Sequence, residues 1–439
     1  MYKNSGIQTA AGMLVIAALL AACGSSRSQD KAGGEVPELQ PVSFSIAYAA
    51  GDMATTQALK AVIAAYMQAH PNVKIKDISE ISSSAYLDWL KIKDAVGEFP
   101  DLLEMRDTEA FAAAGKIAPL PPELVELLDQ PVEVFGRVWN APLYETPPQG
   151  IIYSKKAYAA AGITRLPATY DEFLAAQEKL KASGITPLVA GGKDLFHLGF
   201  WINKFWIDNV YAEDPDWNAR KTAGAASFTD AGVLQAVSDF KTLFTRYVDP
   251  GWQNIGDNQT VSYLVTGKAA QLYSGPWMFS PIEAADPAFE FGFYAVPDRK
   301  GQVNVTGLPS LAGWSFSAEA VRDPVKCAAI TDFLQFFFEP AQYSRFLSAI
   351  NGIPATKAKA AYPAGEAMNE VLRILKAPQT VKSRMMNNWW GANTLPQQFR
   401  NWYYKLLEEL VVKDGDVLSA MQEADREYDR QALEEGIGK

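Results

Sequence analysis

The feature that most constrains this chain is a hydrophobic period that switches between extended and helical spacing and back. Phe44 to Tyr48 reads as a short strand, ended by the Ala49-Ala50-Gly51-Asp52 turn. Behind it, Leu59, Val62, Ile63, Tyr66 and Met67 fall at i, i+3, i+4, i+7, i+8, the stripe of an amphipathic helix. His70-Pro71-Asn72 stops that helix, and Val73 to Ile78 is extended again. Strand, helix, strand is a β-α-β unit, the building block of an α/β sheet with helices on its faces. Phe99 to Glu104 looks like a further strand running into a loop.

The same grammar continues through the middle of the chain. Gly150 to Tyr153 is a strand candidate. Thr169-Tyr170-Asp171-Glu172 reads as a capping box ahead of an inward stripe of Phe173, Ala176 and Leu180. Thr229 to Tyr247 is a long amphipathic helix, while Ala269 to Tyr273 and Phe291 to Val296 are strands. Asp323-Pro324 opens a helix in the favoured cap-then-proline order, with Ile330, Phe333, Leu334 and Phe337 inward. Pro396 opens another, with Phe399, Trp402, Tyr403, Leu406, Leu407 and Leu410 on one face.

Some 400 residues behind the N-terminal segment exceed what a single core serves, so two lobes are expected. The formal charge of −10 argues against nucleic acid as a partner, since phosphate binding needs a basic face. The 11 Trp, 18 Tyr and 22 Phe exceed what a core demands, so some are expected to line a site.

Lys3 precedes an apolar run from Ala10 to Ala22. That run is shorter than the roughly 20 residues of a membrane-spanning helix and suits the core of a secretory signal over residues 1–22. It ends in Leu20-Ala21-Ala22-Cys23, which resembles the lipobox of bacterial lipoproteins; that resemblance implies cleavage before Cys23 and acylation of this residue as a lipid anchor. Residues 23–41 have almost no large apolar side chains and read as a flexible tether. Cys327 is then the only thiol of the mature chain, which excludes an internal disulfide, and its apolar surroundings read as those of a buried small hydrophobe.

Several segments in order resemble the family 1 extracellular solute-binding proteins. Tyr153-Ser154-Lys155-Lys156-Ala157-Tyr158, Ala161-Gly162-Ile163 and Pro167-Ala168-Thr169-Tyr170-Asp171-Glu172-Phe173 match one stretch of that family. Gly267 to Trp277 (GKAAQLYSGPW) is the most specific match, followed by Phe291-Gly292-Phe293, Val296-Pro297 and Gly313-Trp314. The resemblance implies a two-lobed periplasmic-binding-protein-like α/β fold of type II, with discontinuous lobes joined by hinge strands. Residues 42–144 plus 280–349 are expected in lobe 1, and 145–279 plus 350–439 in lobe 2. It further implies capture of a carbohydrate in the cleft, delivery to the permease of an ABC importer, no cofactor, and a monomer held at the outer face of the cell membrane through Cys23.

A pyranose offers an apolar C–H face and an edge of hydroxyls, so its site needs flat aromatics and planar polar groups. Trp277 matches the family's stacking tryptophan. Trp389 and Trp390, flanked by Asn387, Asn388 and Asn393, are expected to face it from the other lobe. Asp107 lies near a family acidic contact, and because the local pattern is shorter, Glu104 and Arg106 share the candidacy. Asp52 stands at a strand-to-helix turn, where it either reaches ligand or caps the first helix. Tyr144, Phe196, His197, Trp201 and Trp314 lie where family members present contacts, with a buried structural role as the alternative for His197 and Trp314.

Two other classes stay open. A secreted glycoside-active enzyme needs two opposed carboxylates, a geometry that sequence does not exclude. A binding protein for a non-sugar solute shares the fold. The two histidines, His70 and His197, do not supply a zinc triad, and no metalloprotease, hydrolase-elbow or P-loop motif occurs.

Overall fold

The computed structural model describes residues 40–50, 52–79, 86–358 and 360–437. The expected signal segment, Cys23 and almost all of the expected tether lie outside these residues. The strands are, in chain order, β1 (Val42–Ala47), β2 (Val73–Asp77), β3 (Leu102–Met105), β4 (Ile117–Ala118), β5 (Glu133–Val134), β6 (Arg137–Val138), β7 (Gly150–Ser154), β8 (Thr186–Val189), β9 (Ala269–Ser274), β10 (Phe291–Tyr294), β11 (Asn304–Thr306), β12 (Gly313–Ser317) and β13 (Val381–Ser383).

They form two main sheets. The first runs β2-β1-β3-β12-β4, parallel among β2, β1 and β3, with β12 antiparallel to both of its neighbours. The second runs β10-β7-β9-β8. Each sheet buries both faces, because side chains alternate along a strand. Phe44, Ile46 and Tyr48 enter a layer with the helices Met53–Ala69, Pro324–Phe338 and Pro340–Ile350, while Ala47 and Ala49 pack towards Tyr86, Leu90 and Phe111. In the second sheet, Ile151 joins Phe173, Trp201, Phe240 and Tyr403, whereas its neighbour Ile152 joins Ile282, Met368 and Val371. β3 and β9 are buried at every position, yet each includes a buried polar side chain, Glu104 and Gln271.

Helix starts follow local chemistry. Asp323 accepts hydrogen bonds from the Val325 and Lys326 amides ahead of Pro324. Thr169 accepts from the Glu172 amide at 3.2 Å, but Glu172 bonds the Ala168 amide and Arg165 instead of returning to Thr169, so only half of the capping box forms. Cys327 is half-buried, not buried, because it lies on the flank of its helix; burial still pushes its thiol pKa up.

The expected lobe boundaries move. β10 pairs with β7, so the chain past residue 280 stays on the second sheet and reaches the first only at β12. Later, Leu128 bridges to Thr356 and the Asp129 amide donates to the Ala355 carbonyl, so the segment past residue 350 remains bound to the first sheet's side. The helix Glu366–Lys376 then packs with the second sheet's residues. Backbone pairing decides these boundaries, and it leaves no hydrophobic signature of its own.

Between β9 and the helix Tyr170–Ala182 lies a buried polar knot. Gln271 donates to Gln177 at 2.6 Å and to the Pro187 carbonyl at 3.2 Å, and accepts from Tyr158, whose hydroxyl also meets that of Tyr294 at 2.9 Å. Removing one member of a buried network costs what its partners lose. Gln271→Leu is expected to destabilise the protein by about 3 kcal/mol and Tyr294→Phe by about 1 kcal/mol. Urea unfolding checks the order, and equal losses would show that the knot carries no special weight.

Candidate functional site

Residues that follow β1 and residues that follow β9 border one crevice. On the first sheet, Asp52 follows β1. Its carboxylate accepts from the Ala54 and Thr55 amides at 3.0 and 3.3 Å, so it caps the helix Met53–Ala69. Glu104, in β3, is buried. One carboxylate oxygen accepts the Ala49 amide at 3.0 Å and the other holds Arg106 through Nε and Nη2 at 2.8 and 2.7 Å. The acid is thus a brace, and Arg106, whose side chain remains 42% exposed, is what it presents. Tyr144 is half-buried near this pair. Burial first, then the Glu104 charge, pushes its hydroxyl pKa up to about 12, so it serves as a neutral donor or acceptor.

On the second sheet, β9 ends at Ser274 and the Gly275-Pro276 turn delivers Trp277. The ring folds back over Gly275, where a Cβ would run into it, so the turn requires glycine. Trp277 is half-buried and lies 5.6 Å from Phe200, which lies 5.9 Å from Phe196, itself 40% exposed. These three rings form a row at the start of the helix Leu195–Trp206. Tyr144, Pro147, Trp277 and the Ile350–Gly352 turn border one crevice with Thr55.

Three expected contacts are placed elsewhere. His197 is fully buried, its Nδ1 2.5 Å from the Asp257 carboxylate and its Nε2 without a partner. Trp201 is fully buried and stacks on Tyr273 at 4.2 Å. Trp314 is fully buried in the first sheet, edge-on to Tyr48 and Phe337. All three are core residues, because each side chain points to the enclosed face of its element.

The Trp389-Trp390 segment runs along the boundary. Both rings are half-buried; Trp389 meets Tyr211 at 5.3 Å, and the Arg384 guanidinium lies 5.3 Å from the Trp389 ring and 4.2 Å from that of Trp390. Trp389 packs in the same apolar layer as Trp277, so the expected opposition of these tryptophans across two lobes does not occur. The segment instead reaches across to the first sheet's side by hydrogen bonds. Glu109 accepts the Gly391 amide at 3.1 Å and the Thr394 hydroxyl at 2.7 Å, and Asp107 accepts from Gln397 at 2.9 Å.

Glu109, Phe200 and Arg384 were not singled out by sequence reasoning. Arg384 had a signal, since a lone arginine before a Trp-Trp pair has no acid near it in sequence. Among the described residues no cluster of His, Cys, Asp and Glu is arranged to hold a metal, and no helix is long and apolar enough to cross a membrane.

Comparison with known proteins adds the following. The profile of the bacterial extracellular solute-binding protein family matches residues 50–344. The multiple sugar-binding protein of Streptococcus mutans serotype c is 23% identical over 322 residues, 70% of this chain and 72% of that protein. A chitin oligosaccharide binding protein superposes with a TM-score of 0.78 at 22% identity, over 90% of this chain and 99% of that one. A sugar transporter from Bacillus licheniformis in complex with stachyose gives 0.73 at 14% identity, over 89% and 100%. At these identities the likeness to both structures is one of fold, and it is the two-lobed α/β fold expected from the sequence.

The hydrogen bonds of Glu109 join the two sides of the cleft. Removing them is worth about 1 kcal/mol at such an exposed position, roughly five-fold in a closed-to-open ratio. Glu109→Ala is expected to enlarge the radius of gyration in small-angle scattering, and an unchanged value would show that these bonds do not hold the lobes.

Proposed function

Because the chain belongs to the family of bacterial extracellular solute-binding proteins, we propose that it captures a carbohydrate between its lobes and delivers it to the membrane permease of an ABC importer. The observation that carries this reading is the half-buried Trp277 ring at the carboxyl end of β9, continued by Phe200 and Phe196, and bordering a crevice with Tyr144. Indole and phenyl faces suit the apolar face of a pyranose, while Tyr144 and Arg106 supply donors for its hydroxyl edge. Relatives whose names record multiple sugars, chitin oligosaccharide and stachyose support the same class.

In this reading the ligand binds both lobes and shifts the population towards the closed form, which docks on the permease. Glu109 and Asp107 supply protein bonds that favour closure, and the ligand supplies the remainder. The protein works at the extracytoplasmic face as a monomer, held by acylated Cys23. It acts as a binder without turnover, so incubation with saccharides leaves them intact; released products would favour the glycoside-active alternative.

A thermal-shift screen with raffinose, stachyose and chito-oligosaccharides, beside amino acids and polyamines, tests the class, since a ligand of the native state raises the melting temperature. With the saccharide that binds, Trp277→Ala is expected to weaken affinity about ten-fold, because about 1.4 kcal/mol of stacking and burial is lost. Unchanged affinity in a folded variant would remove Trp277 from the site, and stabilisation by non-sugars alone would overturn the carbohydrate reading. Separately, Cys23→Ser is expected to abolish detergent partitioning of the mature protein, whereas retained partitioning would reject Cys23 as the anchor.

A further inference from the structure

Arg384 follows β13 at the boundary between the two sides of the molecule. Its Nε donates to the Pro309 carbonyl at 3.2 Å, on the segment that carries the chain from β11 to β12. Its guanidinium face lies over Trp390 at 4.2 Å and Trp389 at 5.3 Å. A guanidinium has five N–H donors, all in its plane. The Pro309 bond takes only Nε–H, so the terminal N–H groups have no oxygen or nitrogen acceptor among the described residues.

The charge is unspent as well. Among the described residues Arg384 makes no ion pair, although Arg106 is held by Glu104, Arg299 by both oxygens of Asp239 at 2.6 Å, and Arg373 by Glu370. It is also half-buried, and desolvation with no neighbouring acid lowers its pKa to about 10. The carboxylates facing this part of the cleft do not compensate it: Glu104 is taken by Arg106, Asp107 by Gln397, and Glu109 by Gly391 and Thr394. Among the described residues, the buried indole N–H of Trp389, whose ring lies against Arg384, has no hydrogen-bond partner. A partly desolvated cation lacking an anion, next to an unfilled indole N–H, is costly unless something bound supplies the missing acceptor.

We propose that Arg384 forms an anion subsite of the ligand cleft and that the cargo is an acidic saccharide carrying a carboxylate, such as a uronate-containing oligosaccharide. This rests on the carbohydrate reading above and narrows it. A carboxylate is planar and offers two acceptor oxygens that match the guanidinium fork. Trp389 and Trp390 hold that fork in a fixed plane and offer apolar surface to the sugar ring that bears the acid. The net charge of −10 opposes anion binding at long range, so the selectivity resides in this local group.

The test is calorimetry on the full chain with matched pairs of probes: oligogalacturonates, glucuronate-bearing xylo-oligosaccharides and alginate oligomers, each beside its methyl ester, with raffinose and stachyose as neutral references. At least one acid is expected to bind ten-fold or more tighter than its own ester, and to weaken as salt rises while the ester does not. Arg384→Gln should erase that ten-fold preference without changing ester binding, and Arg384→Lys should keep part of it. If neutral saccharides bind and no acid exceeds its ester, the acidic cargo is wrong and the carbohydrate reading stands. If no saccharide of either kind binds, the carbohydrate reading itself fails. A preference that survives in Arg384→Gln, or, should that variant not fold, remains undiminished in Arg384→Lys, would overturn the assignment to Arg384.

Discussion

The architecture depends on the insertion of β12 between β3 and β4. Phe316 pairs with Leu102 on one side and Ala118 on the other, so a strand from the last third of the chain completes a sheet begun by the first third. The chain must therefore leave the first sheet after Ala141, build the second, and return. The outgoing and returning segments lie side by side. Ala141 and Trp314 exchange two backbone hydrogen bonds at 2.9 and 2.8 Å, and Thr306 donates to the Pro147 carbonyl at 2.9 Å. Tyr343 bonds the Leu143 carbonyl and accepts the Ala355 amide, which ties in the third passage. The main-chain part of this joint, the Ala141–Trp314 pair, does not depend on which side chains stand there.

The two sides of the cleft have different chemistry. The first sheet presents polar groups that are mutually satisfied: a capping Asp52, a Glu104–Arg106 pair and a neutral Tyr144. The second presents the rings of Phe196 and Trp277, with the buried Phe200 between them, and those of Trp389 and Trp390 on a separate segment. On the proposed reading, a ligand that needs both apolar and polar contacts would be held fully only when both sides contribute.

Much of this was legible in the sequence. The period switch from Phe44 to Ile78 located β1, its helix and β2 closely, and the Asp323-Pro324 start was placed correctly. Trp277 was identifiable because a Gly-Pro turn after an apolar run puts the next residue at a strand's end. Trp201 was expected near ligand and is core, and Trp314 takes the buried role that the sequence left open, because aromatic position along the chain does not report which face of an element is enclosed. The lobe boundaries were misplaced because β10 and the segment near Thr356 are assigned by backbone partners far away in sequence. Arg384 was overlooked because its meaning lies in what surrounds it. An arginine becomes informative only once the absence of an acid in space is known.

The stretch from Arg384 to Gln397 contains two short 3-10 turns and no strand or long helix, and Met386 is its one apolar side chain that is fully buried between Arg384 and Leu395. Little core burial therefore rests on these side chains, so on the proposed reading a substitution here would alter the Arg384 subsite at small cost to the folded state.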